Sequence, residues 1–151
     1  MKKRAILVGI NDYQYLGKLH YACQDTQSVA DALKKSYGFD DSEIILMTDT
    51  QQRLRPTDRF AIEETLSPEC VGTDLDLLLF GFWGHGVWSD SARLLCPINQ
   101  RETELERWGV PLEVIKDRLG ALKAKNICLI LDCCQSIAAG RETVAPAMTP
   151  E

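Results

Sequence analysis

The chain has 151 residues, 45% of them hydrophobic and 26% charged, which fits one globular domain with a real core. A net charge of -5 and a pI near 5.1 argue against a nucleic-acid or anionic-membrane surface. The apolar runs Ala5–Ile10 and Leu77–Phe82 hold six residues each, too few for a signal core or a membrane span, so a cytoplasmic location is expected.

In chain order, Arg4–Ile10 (RAILVGI) reads as a buried strand stopped by Asn11-Asp12. Cys23–Tyr37 reads as a helix, with Val29, Ala30, Leu33 and Tyr37 at helical spacing and Gly38 as its stop. Glu43–Met47 is a second strand. Pro56-Thr57-Asp58 opens a second helix, with Phe60, Ile62 and Leu66 on its apolar side and Pro68 past its end. Leu75–Trp83 is a third strand. Pro111 opens a helix marked by Leu112, Ile115, Leu119 and Leu122, and Asn126–Leu131 is a fourth strand. The tail from Gly140 to Glu151 breaks the periodicity and reads as a linker or disordered end, leaving 1–139 as the folded domain. Alternating elements with continuously apolar strands predict an α/β fold, a mostly parallel sheet covered by helices on both faces.

Six cysteines in a chain of this kind are expected to stay reduced, with Cys23, Cys96 and Cys128 as small buried hydrophobes. No C-x-x-C pair is present and both histidines are isolated, so no metal site is expected.

Sites in an open parallel sheet form beyond the carboxyl ends of its strands. The third strand runs into Gly84-His85-Gly86, and the fourth into Asp132-Cys133-Cys134-Gln135-Ser136. Parallel neighbours would bring His85 and a cysteine together. An imidazole there can take the thiol proton, because the thiolate is the nucleophile, and return it to a leaving amine. The flanking glycines would let the backbone turn sharply, and the Gly86 amide could bind an oxyanion, a contribution of about a few kcal/mol.

Four segments together resemble the caspase-like cysteine peptidases, and within them the metacaspase and bacterial orthocaspase branch: RAILVGINDY, HYACQDTQSVADAL, LLLFGFWGHG and ICLILDCCQS. The resemblance covers about residues 4–140. Cys134 follows His85 by 49 residues, close to the roughly 50 of caspases. The resemblance implies a caspase-like three-layer α/β/α sandwich. It makes His85 the acid/base and Cys134, rather than Cys133, the nucleophile, with the Gly86 and Cys134 amides at the oxyanion. It also implies that Asp25 and Asp132 line a pocket for Arg or Lys before the cut, recognised by charge-assisted hydrogen bonds. From the residues alone, Asp25 could instead cap its helix and Asp132 could merely end its strand.

The chain departs from the family pattern at several positions. Trp83 stands at a usual serine and narrows the pocket wall. Gln24 replaces Asn, and Gln135-Ser136-Ile137 lacks the glycine after the nucleophile. Asn99 stands where many relatives carry an Asp. Calcium is used in the family, but no ligand cluster for it is visible, and no cofactor is expected. Only 17 residues follow Cys134, too few for the small part of the family sheet. A small-subunit-like chain or segment, or a second copy in a homodimer, is therefore expected at the fourth strand, beside a protein or peptide substrate. Arg141 is a candidate self-cleavage position. Two functions remain: a cysteine endopeptidase cutting after basic residues, or a catalytically weak interaction and regulatory module.

Overall fold

The computed structural model describes residues 1–49, 57–89 and 91–137, with the side chains of 134–137 outside the description. The elements are β1 (Lys3–Gly9), α1 (Ala22–Tyr37), β2 (Ile44–Thr48), α2 (Arg59–Thr65), α3 (Pro68–Val71), β3 (Leu77–Trp88), β4 (Arg93–Leu95), α4 (Leu105–Trp108), β5 (Val110–Pro111), α5 (Leu112–Ala121) and β6 (Asn126–Ile137). The expected tail and Arg141 lie outside the described residues.

β1 pairs in parallel with β2 on one side and with β3 on the other. β6 runs parallel to β3 along its whole length, from Leu77↔Asn126 to Trp88↔Ile137. β4 pairs antiparallel with the last three residues of β3, and β5 antiparallel with β4. A strand has only two edges. Since β6 fills one of them, β1 and β4 must share the other: β1 ends opposite Trp83, and β4 covers Gly86 to Trp88.

Each face of the sheet buries its own apolar cluster. On one face Ala5, Leu7, Leu79 and Trp83 pack with Ala22, Ala30 and Leu33 of α1 and with Phe39. On the other, Ile6, Val8, Phe80 and Phe82 pack with Ile62 of α2, Val71 of α3, and Ile115 and Leu119 of α5. The strands are buried on both sides, which is why they read as unbroken apolar runs rather than as alternation. The fold is the α/β class expected, a mixed sheet sandwiched between helices.

Local chemistry sets the ends. Gly38 closes α1 at φ 65°, a left-handed conformation that glycine adopts without strain, and its N–H donates to the Leu33 carbonyl. Asp58 caps α2 by accepting the Ala61 N–H at 2.9 Å.

Several expectations are corrected. β3 does not stop at Trp83 or turn at its glycines. It continues through His85 to Trp88, because β4 and β6 supply partners on both edges. β6 likewise runs to Ile137, so Asp132 does not end its strand. Phe60 is 75% exposed, whereas Ile62 and Leu66 are buried, so α2 presents a narrower apolar stripe than expected. Pro68 opens the short helix α3 instead of only ending α2. The N-cap of α1 is Tyr21; Asp25 lies inside the first turn, which rules out the capping role. Cys128 is exposed because β6 has only one strand partner among the described residues.

Candidate active site

The site lies where β1 has ended and β3 and β6 continue together. Their register sets position 134 directly opposite His85, and Asp132 opposite Trp83. Trp83 packs in the cluster under α1, as does Ile130, which lies two and four residues before Asp132 and Cys134 on the alternating strand. Cys133 belongs to the opposite face. It packs against the second cluster and lines a cavity of ≈ 230 Å³ with Leu94, Leu95, Leu112 and Trp88. Cys133 thus lies on the face away from Trp83, while the backbone register sets position 134 opposite His85.

His85 is half-buried. Its Nε2 lies 2.7 Å from the Gly17 carbonyl oxygen. A carbonyl can only accept, so the neutral ring carries its hydrogen on Nε2 and turns the Nδ1 lone pair to the other side. The ring also packs on Tyr13, with centroids 4.7 Å apart at 52°. The His85 backbone N–H donates to the Tyr13 hydroxyl at 2.8 Å, and that hydroxyl donates to the Cys96 carbonyl at 3.0 Å.

The segment carrying Tyr13 and Gly17 is itself anchored. The Asp49 carboxylate, 6% exposed and just past β2, accepts the Asn11 N–H at 2.7 Å, the Asp12 N–H, and the Cys23 thiol at 2.7 Å. Leu19 N–H closes back on the Asn11 carbonyl at 2.9 Å.

Of the expected site residues, the register brings His85, Cys134, Trp83 and Asp132 together on neighbouring strands. Asp25 lies in the first turn of α1, which rests on Gly9: a Cβ at Gly9 would collide with Thr26 and the Ala22 carbonyl. Asp25 and Asp132 are both exposed, whereas Trp83 is 5% exposed and its ring lies over Gly81. Gly86 is buried within the ladder, between Leu95 and Gln135, with no turn at this point. Among the described residues no group of three or more His, Cys, Asp or Glu is arranged to hold a metal ion, and no helix is long and apolar enough to cross a membrane.

Two other thiols are set apart by their surroundings. Burial pushes Cys23 up to about 12, helped by its hydrogen bond to Asp49. Burial also pushes Cys96 up to about 12, helped by nearby Cys133. Thiols held protonated in this way are poor nucleophiles.

Tyr13, Gly17 and Asp49 did not stand out in the sequence. A backbone carbonyl such as that of Gly17 leaves no side-chain signal. Asp49 does follow directly on the end of β2, and Tyr13 lies in the segment after β1, the part of an α/β sheet where functional groups collect.

A mixed sheet between helices, with a histidine and a cysteine brought opposite each other on parallel strands, is the architecture of the caspase-like class. The chain matches the metacaspase peptidase C14 domain over residues 3–140 and belongs to that family of cysteine peptidases. It is 31% identical over 88 residues to Metacaspase-8 of Arabidopsis thaliana, covering 58% of this chain and 23% of that protein. It is 30% identical over 87 residues to Metacaspase-1 of Schizosaccharomyces pombe, covering 56% and 20%. With Metacaspase-9 of Arabidopsis thaliana it shares 27% over 105 residues, covering 67% and 32%. The chain therefore spans between about a fifth and a third of the length of these relatives.

Proposed function

We propose that this chain carries the catalytic pair of a cysteine endopeptidase that cleaves protein substrates after Arg or Lys. The observation that carries the reading is the register of β3 and β6, which sets Cys134 opposite a His85 whose Nε2 is already engaged by Gly17. Cys134 passes its proton to His85 Nδ1, and the thiolate attacks the scissile carbonyl. The backbone amides of Gly86 and Cys134 are assigned to the oxyanion. His85 then gives the proton to the leaving amine, and water hydrolyses the thioester to release the acid and regenerate the thiol. Asp25 and Asp132 are assigned to the basic residue before the cut, with Trp83 as the pocket wall. The chemistry needs a reduced thiol, in keeping with a cytoplasmic setting and with no cofactor.

Activity is proposed to need a companion segment, in the same polypeptide or another, or a second copy of the chain, along β6. The support is the exposure of that strand: Ile127 is 44% and Leu131 36% exposed. The test is hydrolysis of a fluorogenic Arg or Lys peptide amide, with and without the companion segment. Turnover that vanishes in Cys134→Ala and His85→Ala is expected. Equal, background hydrolysis by wild type and Cys134→Ala under every condition sinks the peptidase reading.

The second reading is a catalytically weak interaction module, favoured by the burial of Trp83 beside Asp132. A thiol-reactive Arg peptide separates the two. The peptidase reading expects labelling of Cys134 that depends on His85; labelling no faster than a surface thiol favours the module.

A further inference from the structure

The seam between β1 and β4 along β3 contains an unusual exchange of hydrogen bonds. The Cys96 N–H donates to the His85 carbonyl at 2.9 Å. In an antiparallel pair the return bond would run from the His85 N–H to the Cys96 carbonyl. Here the Tyr13 hydroxyl occupies that place, accepting from one (2.8 Å) and donating to the other (3.0 Å). Tyr13 is 3% exposed, and the neighbouring residue of β3 is a glycine at which a Cβ would collide with the hydroxyl. On the other side of the seam the Ile10 N–H bonds the Trp83 carbonyl at 3.1 Å, so β1 lets go of β3 just where Tyr13 enters.

We infer that Tyr13 is a positioning residue for His85: its hydroxyl fixes the His85 backbone in the opened seam while its ring supports the imidazole. The inference rests on the peptidase reading for its use in catalysis, though not for its geometry. Three constraints then converge on one histidine. The hydroxyl holds its N–H, the Tyr13 ring packs on its imidazole, and the Gly17 carbonyl of the same 10–20 segment holds Nε2. Nδ1 is the ring nitrogen that the Gly17 carbonyl does not hold. Burial raises the Tyr13 phenol well above its ordinary range, with Cys96, Asp49 and Cys133 adding to the effect. The hydroxyl therefore keeps its proton and its double role as donor and acceptor at any working pH. Asp49 completes the device by tying Asn11 and Asp12, the two residues before Tyr13, to the end of β2.

The test is imidazole and amide NMR on the whole chain, with His20 as an internal control. In wild type, a slowly exchanging Tyr13 hydroxyl proton with a cross-peak to the His85 amide is expected; its absence overturns the inference. In Tyr13→Phe, which keeps the ring, the His85 imidazole and amide signals should move while those of His20 stay. A lowered melting temperature with His85 unmoved means a purely structural role and overturns the proposal. In the peptidase assay kcat should fall about tenfold with KM within about twofold, the size expected for losing one buried hydrogen-bond partner. If kcat and KM are both unchanged, the inference also fails. Should wild type show no Cys134-dependent hydrolysis, the peptidase reading fails, and the NMR arms still decide the role of Tyr13.

Discussion

Asp49 shows how one side chain can organise a site without touching a substrate. It satisfies two backbone N–H groups and a thiol in a nearly closed environment. Removing it takes this acceptor from the Asn11 and Asp12 N–H groups, at a cost of about 1–3 kcal/mol for each that water does not reach, while the Cys23 thiol keeps the Gly9 carbonyl at 3.2 Å. Asp49→Ala should lower the melting temperature by several degrees and weaken any His85-dependent labelling of Cys134, both measurable on one preparation. The raised thiols make a second prediction. Cys23 and Cys96 have an ordinary value of 9.0 and sit at about 12 when folded. Above pH 9 the unfolded chain loses these protons while the folded chain keeps them. Stability is therefore full below pH 9 and falls as pH rises toward 12, by about 1.4 kcal/mol per pH unit for each thiol. Denaturant titrations at pH 8 and 10.5 should reveal the fall, and Cys23→Ala with Cys96→Ala should flatten it. At this scale the sequence was partly readable. His85 and the paired cysteines stood out because each follows an apolar run. Cys128 misled because an apolar neighbourhood in sequence says nothing about which strand lies at the sheet edge.

Among the elements, β1 and β2 were legible to within a residue at each end, β3 and β6 at their centres but not at their C-terminal ends, and β4 and β5 not at all. Leu77–Phe82 is apolar because both faces are covered. The extension to Trp88 depends on partners contributed by β4, whose three residues are too few to carry a periodic signal, and by β6, which is distant in sequence. The glycines about His85 suggested a turn. They serve a different need, since Gly84 makes room for the Tyr13 hydroxyl. The bounds of α1 were legible to within a residue because spacing and Gly38 agreed, although Tyr37, read on its apolar spacing, is 68% exposed. Gly38→Ala should cost about 1 kcal/mol from the left-handed φ alone, since the added Cβ meets nothing closer than Lys3 Nζ at 3.7 Å. Equilibrium denaturation should show a lower midpoint with an unchanged slope; no change in midpoint would contradict the strain argument.

For the molecule as a whole, the sheet leaves β6 with one strand partner among the described residues. β6 exposes Ile127, Cys128 and Leu131, an apolar edge of the kind that proteins normally cover or charge. An Ile127→Lys, Leu131→Lys variant should keep its melting temperature within a few degrees, self-associate less in sedimentation, and lose any stimulation by a companion segment. Unchanged stimulation would place the companion elsewhere. The sheet class was legible because alternating helices and apolar strands leave few alternatives. The strand order and the sharing of one edge of β3 between β1 and β4 were not, since both depend on contacts between residues far apart in the chain.

The adjacency of Cys133 and Cys134 has a consequence for how the chain can vary. Under the proposed chemistry, which thiol is to meet His85 is a question of parity, odd or even, counted along β6. Deleting one residue between Asn126 and Asp132 would exchange the two faces and hand the wrong cysteine to the histidine side. Deleting two would keep the face and slide the site by one repeat along the strand. This stretch should therefore accept substitutions far more readily than single insertions or deletions, although none of its residues before Asp132 has a part in the proposed chemistry.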